Sequence, residues 1–147
     1  MKKLIIGLLL IACEPLVAQT SLAVYAIPAN LKQNANAVIR FDNTDFYIES
    51  IGSSVTKRHW AVTIFNEKGE EDYAYFEAYY DEFSKVKKIE GELFDEFGKS
   101  LKKLKSSDIR DIGNGKFTND VTDGRIKIAE FSKKYYPYPF TVEFSFE

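Results

Sequence analysis

An all-β fold, an antiparallel β-sandwich of about eight strands, is predicted by three features of this chain: apolar and polar residues alternate with period two, turn signals separate the alternating runs, and helix signals are few. In chain order, Pro28 opens a one- or two-turn helix through Leu31 to Gln33, because its fixed φ suits a first helical position. Two strands follow at 37–42 and 46–51, with Asn43-Thr44 as a tight turn between them. Residues 60–65, Trp-Ala-Val-Thr-Ile-Phe, are apolar or neutral on both faces, as a central strand covered on both sides requires.

Two turns share one grammar. Asn66-Glu67-Lys68-Gly69 and Asp95-Glu96-Phe97-Gly98 each place Asn or Asp first and Gly fourth, which suits a type I turn followed by positive φ. Each is expected to close a bulged hairpin, the first joining the Trp60 strand to 73–80 and the second joining 89–95 to 99–104. Ser107 to Asp111 reads as a capped helical turn that stops at Gly113. Asp123-Gly124 leads into a strand at 125–131, with a bulge where the apolar positions shift from Ile126 and Ile128 to Phe131. At the end, Phe140, Val142, Phe144 and Phe146 alternate with Thr141, Glu143, Ser145 and Glu147, the pattern of a half-buried antiparallel strand. Alternation does not separate a sandwich from an open barrel; the sandwich is the expectation here. There is no internal repeat or linker, so residues 20–147 are read as one domain.

Residues 1–19 read as a secretory signal. Lys2 and Lys3 precede an apolar run from Leu4 to Ala12 that is too short to span a bilayer, and cleavage is expected between Ala18 and Gln19. Leu10-Ile11-Ala12-Cys13 also looks like a lipobox, in which Cys13 is acylated and becomes the first residue. The product is therefore expected to be periplasmic or extracellular, or lipid-anchored to the envelope, with membrane contact only through that anchor. Without Lys2, Lys3 and Glu14 the chain holds 18 basic against 21 acidic side chains, a net charge near −3 that gives no pull toward nucleic acid.

Candidate chemistry is sparse. Cys13, the only cysteine, lies in the leader, and His59 is the only histidine. A lone histidine is no zinc site, so His59 is read as an exposed residue at a strand edge beside a core Trp60. Asp108, Asp111, Asn114, Asn119, Asp120 and Asp123 crowd a stretch that suggests calcium. Their spacing misses the loop pattern, however, and Lys105, Arg110, Lys116 and Arg125 dilute the charge, so neither metal nor cofactor is expected. Glu90, Glu92, Glu130 and Glu143 offer carboxylate pairs for glycoside chemistry, but a chain with 29% charged residues always offers pairs and nothing selects one. Tyr73, Tyr75 and Tyr79, on one strand face shared with Glu77, are the candidate binding face for a sugar or an extended peptide. The alternative is that they pad cross-strand pairs. Tyr80, Tyr135, Tyr136 and Tyr138 complete the two tyrosine clusters. Lys99, Lys102, Lys103 and Lys105 read as a solubilising edge.

Several phrases occur together: Ile27-Pro28-Ala29-Asn30-Leu31, Asn34 to Arg40, Val62 to Gly69, Phe94 to Lys99, Lys105 to Asp111, and Tyr136-Pro137-Tyr138-Pro139-Phe140-Thr141-Val142-Glu143. In this combination the chain resembles DUF3857, the N-terminal domain of unknown function that precedes a transglutaminase-like domain in exported proteins of Gram-negative bacteria. The resemblance implies a partner in a transglutaminase-like domain or another envelope protein. In longer members the catalytic Cys-His-Asp set lies in the following domain. Cys13 does not supply that thiolate and no catalytic residue carries over, so a non-catalytic module is expected. Mass spectrometry of the exported protein is expected to find an N-terminus close to Gln19; a diacylglyceryl-cysteine at Cys13 would instead establish lipidation.

Overall fold

The computed structural model describes residues 22–113, 123–131 and 137–147. The readings on the leader and on Asn114, Lys116, Asn119, Asp120, Tyr135 and Tyr136 lie outside those residues. Eight strands are described: β1 (Ala37–Ser50), β2 (Ser53–Ile64), β3 (Tyr75–Tyr80), β4 (Ile89–Phe94), β5 (Ser100–Lys103), β6 (Ile109–Gly113), β7 (Arg125–Glu130) and β8 (Phe140–Phe146). Two short helices, α1 (Ala29–Lys32) and α2 (Glu67–Tyr73), and 3-10 turns at Val24–Ala26 and Ser106–Asp108 join them. The strands form two antiparallel sheets, a sandwich-like all-β fold as expected. The larger sheet runs β1-β2-β8-β4-β5 and the smaller β3-β7-β6.

The core lies between the sheets. From the larger come Trp60, Val62 and Ile64 on β2, Leu93 on β4, and Phe140, Val142 and Phe144 on β8. From the smaller come Phe76, Ala78, Ala129 and Phe131. Period two puts every second side chain on one face, so each strand gives one row to this interior. Burying a residue the size of Val, Leu or Phe is worth roughly 1.5–3 kcal/mol. The Phe144 ring sits among three others, with centroids 5.6 Å from Trp60, 5.8 Å from Phe76 and 5.4 Å from Phe131. Gly91 stands across the ladder from Phe144, and a Cβ there would lie 2.8 Å from Phe144 Cδ1. The ring takes the space a side chain would need.

The 60–65 segment is central and buried, as its composition predicts: Ala61 through Ile64 are shut from solvent between β1 and β8. The outward side of β8 is not uniformly polar surface. Thr141 is fully buried and hydrogen-bonds Thr63 at 2.8 Å, because residues 22–27 lie across this part of the sheet. Arg40 ties that strap down, with Nη1 donating to the Leu22 carbonyl at 3.1 Å and to Thr63 Oγ1 at 3.3 Å. Val24 N donates to the Glu96 carbonyl at 2.9 Å.

Four expectations are corrected. Asn43-Thr44 is no turn: β1 runs unbroken, with Asn43 opposite His59 and Thr44 opposite Arg58. The real turn is at Ile51-Gly52, where Gly52 has φ +81°. Asn66 to Gly69 closes no hairpin, since β2 and β3 belong to different sheets. Asn66 is instead the N-cap of α2, its side chain accepting from Gly69 N at 3.0 Å. The same Asn that opens a turn also opens a helix, and Glu67, Lys68, Glu70 and Glu71 favour the helix. Residues 109–113 are strand β6, and the helical turn ends before them at Asp108. Finally, β7 pairs with β3 and β6 in unbroken register, so no bulge interrupts it. The second turn behaves as expected: β4 and β5 form a hairpin with a register shift between Leu93 and Phe94, and Gly98 has φ +81°.

The glycines separate two kinds of constraint. A Cβ on Gly69 would fall 2.1 Å from the Asn36 carbonyl oxygen, whereas at Gly52 nothing lies within 4 Å and only the positive φ resists substitution. Gly52→Ala is expected to cost about 1 kcal/mol through strain alone. Gly69→Ala is expected to cost about 2–3 kcal/mol, because backbone must move. Chemical denaturation of both variants checks the order; an equal loss would contradict it.

Candidate functional site

Three surfaces carry the residues that sequence singles out, and a fourth comes from the structure alone. On the outward face of the larger sheet, β2, β8 and β4 bring His59, Glu143, Ser145, Glu90 and Glu92 around a hollow of about 360 Å³ whose lining also includes Lys103. His59 Nε2 lies 2.5 Å from Glu143 Oε1, and its ring packs against Phe41 at 4.7 Å. His59 is therefore exposed, as expected, but it stands on a strand paired on both sides rather than at a sheet edge. Ser145 is its cross-strand neighbour, yet the imidazole turns to Glu143. Glu92 accepts a hydrogen bond from Ser100 and Glu90 pairs with Lys88 at 2.9 Å. Glu130, by contrast, is on the other sheet and pairs with Arg110 at 3.5 Å. Each candidate carboxylate is thus matched to a neighbour on the surface.

The tyrosine face is only partly assembled as expected. Tyr75, Glu77 and Tyr79 share the outward face of edge strand β3, with Tyr79 Oη donating to Glu77 at 3.1 Å. Tyr73 ends α2 and is not on that strand. Tyr79 stands directly opposite Ile126, which is buried, so the ring also covers sheet surface. Burial and the Glu77 carboxylate both push the Tyr79 phenol up. Tyr138 donates to Glu70 on α2, and that carboxylate holds its phenol up at about 12.

Residues that sequence reading sorts into separate groups meet at one end of the smaller sheet. Tyr80 Oη donates to Asp111 at 2.7 Å, and Arg125 Nε approaches both Tyr80 Oη and Asp111 Oδ1 at 2.9 Å. The Asp111 carboxyl is pushed below its usual range by the Tyr80 hydrogen bond and then by Arg125. Asp108 caps the 3-10 turn through Lys105 N and pairs with Lys102 at 3.5 Å. Asp108 and Asp111, two of the acids of the suggested calcium stretch, are thereby used in holding strands and turns. Lys102 is likewise more than a solubilising charge, since its ammonium lies 6.0 Å from the Phe131 ring centroid. Among the described residues no group of three or more His, Cys, Asp or Glu is placed to hold a metal, and no helix is long and apolar enough to cross a membrane.

The fourth surface was missed. β8 pairs with β2 only from Arg58 to Ile64, so β2 and β1 continue past the sandwich as a two-stranded ribbon. Residues 43–54 are all exposed, with Phe46 at 62% and Ile48 at 78%, and Ile51 stands wholly in solvent at the tip. The misread Asn43-Thr44 turn hid this; the signal for it was the Gly52-Ser53-Ser54 run. At the ribbon's root Arg58 grips Asp42 through two bonds of 2.8 and 2.7 Å, which holds the Asp42 carboxyl low. Beside it a notch of about 400 Å³ is lined by Asp45, Lys57, Arg58, Lys88 and Glu147, among others.

The family model of the domain of unknown function DUF3857 matches residues 50–147. The chain belongs to this family. No curated protein and no solved structure matches it. The match spans β2 to β8 and therefore the buried cluster between the sheets; Ile27 to Leu31 and Asn34 to Arg40, phrases on which the resemblance also drew, precede it. This DUF3857 domain holds Asp42, Asp111 and Glu147 as carboxylates with lowered pKa, by hydrogen bonds from Arg58, from Tyr80 and from Lys57 respectively. Such groups favour the folded state above the ordinary carboxylate value, and that contribution is lost as pH falls from there through the lowered folded-state value. Stability is therefore expected to decline below about pH 4. Asp111→Asn should flatten that decline in melts taken across the acid range; an unchanged acid slope would contradict the assigned network.

Proposed function

We propose that this DUF3857 domain is a non-catalytic, exported accessory module of the cell envelope that docks a protein partner, a transglutaminase-like domain or another envelope component. The observation that carries this reading is the exposed ribbon, where Phe46, Ile48 and Ile51 meet water together on one arm that projects past the sandwich. Clustered exposed apolar side chains of this kind mark interaction surfaces. The chemistry supports the same reading. The single imidazole is engaged by a carboxylate on an open sheet face, and nucleophilic catalysis needs a base in reach of its nucleophile.

A second reading, a carbohydrate- or peptide-binding module, is favoured by the exposed Tyr75 and Tyr79 rings flanking Glu77 on one face. Aromatic platforms with a hydrogen-bonding edge stack on sugar rings. Glycan-array binding abolished by Tyr75→Ala would favour it over docking.

Two measurements test the leading reading. The purified chain is expected to turn over no member of a peptide or glycan library; turnover lost in Glu143→Gln would contradict it. A photo-crosslinking residue placed in turn at Tyr25, Ile48, Tyr79 and Phe97 in cells is expected to give a discrete protein adduct from at least one position. No adduct from any of them, with export intact, would also contradict it.

A further inference from the structure

We infer that the free edge of β1 in the ribbon receives an extended segment of a partner protein, added as an antiparallel strand and carrying alternate apolar and basic residues. The inference rests on the docking reading above and names its surface and the chemistry of its occupant. Among the described residues strand β1 is the outermost strand of the larger sheet, so along 43–50 every backbone N–H and C=O not turned to β2 faces outward. Native edge strands of this length are commonly shortened, bulged away, covered or blocked with lysine. On this stretch there is no lysine, arginine or proline.

The side chains specify the occupant. Thr44, Phe46 and Ile48 stand across from Arg58, Thr56 and Ser54, on the Trp60 side of β2, and offer apolar surface. Asp45 and Tyr47 stand on the opposite side, with Glu49 at the register shift that follows, where it accepts from Ser53 Oγ at 3.2 Å. Lys57 is opposite Asp45, but its ammonium goes to Glu147 at 3.1 Å. The edge is therefore apolar on one side and acidic on the other. A strand with Ile or Val next to Phe46 and Ile48, and Lys or Arg next to Asp45 and Glu49, satisfies both sides at once.

A second copy of this chain fits poorly. In a two-fold antiparallel pairing of β1 with itself, the register that sets Phe46 against Ile48 also sets Asp45 against Glu49, twice. Like charges directly opposite are destabilising. In that register the acidic edge discourages self-association, whereas a basic strand meets no such repulsion.

The test uses the full chain, isotopically labelled, with three synthetic octapeptides: alternating isoleucine and lysine, alternating isoleucine and glutamate, and the first with central prolines that remove ladder donors. The isoleucine–lysine peptide is expected to shift amide resonances along 43–50, and the other two to leave them in place. In the Asp45→Lys/Glu49→Lys variant, whose changes are on exposed positions, its affinity should drop about tenfold and preference should pass to the glutamate peptide. Shifts confined to other surfaces, equal binding of both charge types, or a dimer in sedimentation that uses this edge would each overturn the inference. A crosslinked adduct from Tyr79 but not from Ile48 would sink this surface while leaving the docking reading intact.

Discussion

Everything in this fold depends on strand β8 lying between β2 and β4. It is the middle strand of the larger sheet, pairing with β2 from Phe140 to Phe146 and with β4 from Thr141 to Phe146. Without it the sheet falls into two separate hairpins, β1-β2 and β4-β5, and a lone hairpin is marginal in water. The same strand supplies Phe140, Val142 and Phe144 to the interior, and the Phe144 ring touches aromatics from three other segments. Secondary structure and core therefore form together. All the β8 contacts are distant in sequence from β2, so the larger sheet closes late and at considerable loop entropy.

That arrangement also decides which surfaces are left over. Glu147 is tied to the Lys88 backbone beside the last β8 pair, and β2 extends on to Ser53, so the ribbon is the part of β1 and β2 that β8 does not flank. On the opposite end the strap of residues 22–27 covers the outward face, which turns Thr63 and Thr141 from surface into core. The two ends of one sheet thus differ in kind. One is sealed by the chain's own N-terminal segment, through Arg40 and the Leu22 carbonyl, and the other is open. The proposed docking role draws on this asymmetry, since burial at one end stabilises the domain while the other end keeps an exposed surface.

Sequence made the core readable because burial imposes period two. Phe140, Val142 and Phe144 announce their face, and residues 60–65 announce a strand covered on both sides. Gly98 was readable for a local reason, a positive φ that a short motif encodes. What failed were signals with two outcomes. Asn66 with Gly69 fits both a turn and a helix start; the helix formers that follow favour the helix, and Asn36, thirty residues earlier, adds a contact no local motif encodes, its Oδ1 accepting from Asn66 Nδ2 at 2.9 Å. Asn43-Thr44 looks like a turn because both residues are exposed in the ribbon, where no core selects strand formers. The Tyr80, Asp111 and Arg125 cluster was invisible for a third reason: its members are brought together only by the order β3-β7-β6.

Native-state hydrogen exchange tests the account most directly. If β8 is the keystone and the ribbon an open arm, the amides of Val142, Glu143 and Phe144 exchange only through global unfolding, while outward-facing amides between 43 and 50 exchange at rates close to those of an unprotected chain. Amides of β8 that exchange as fast as those of the ribbon would contradict it.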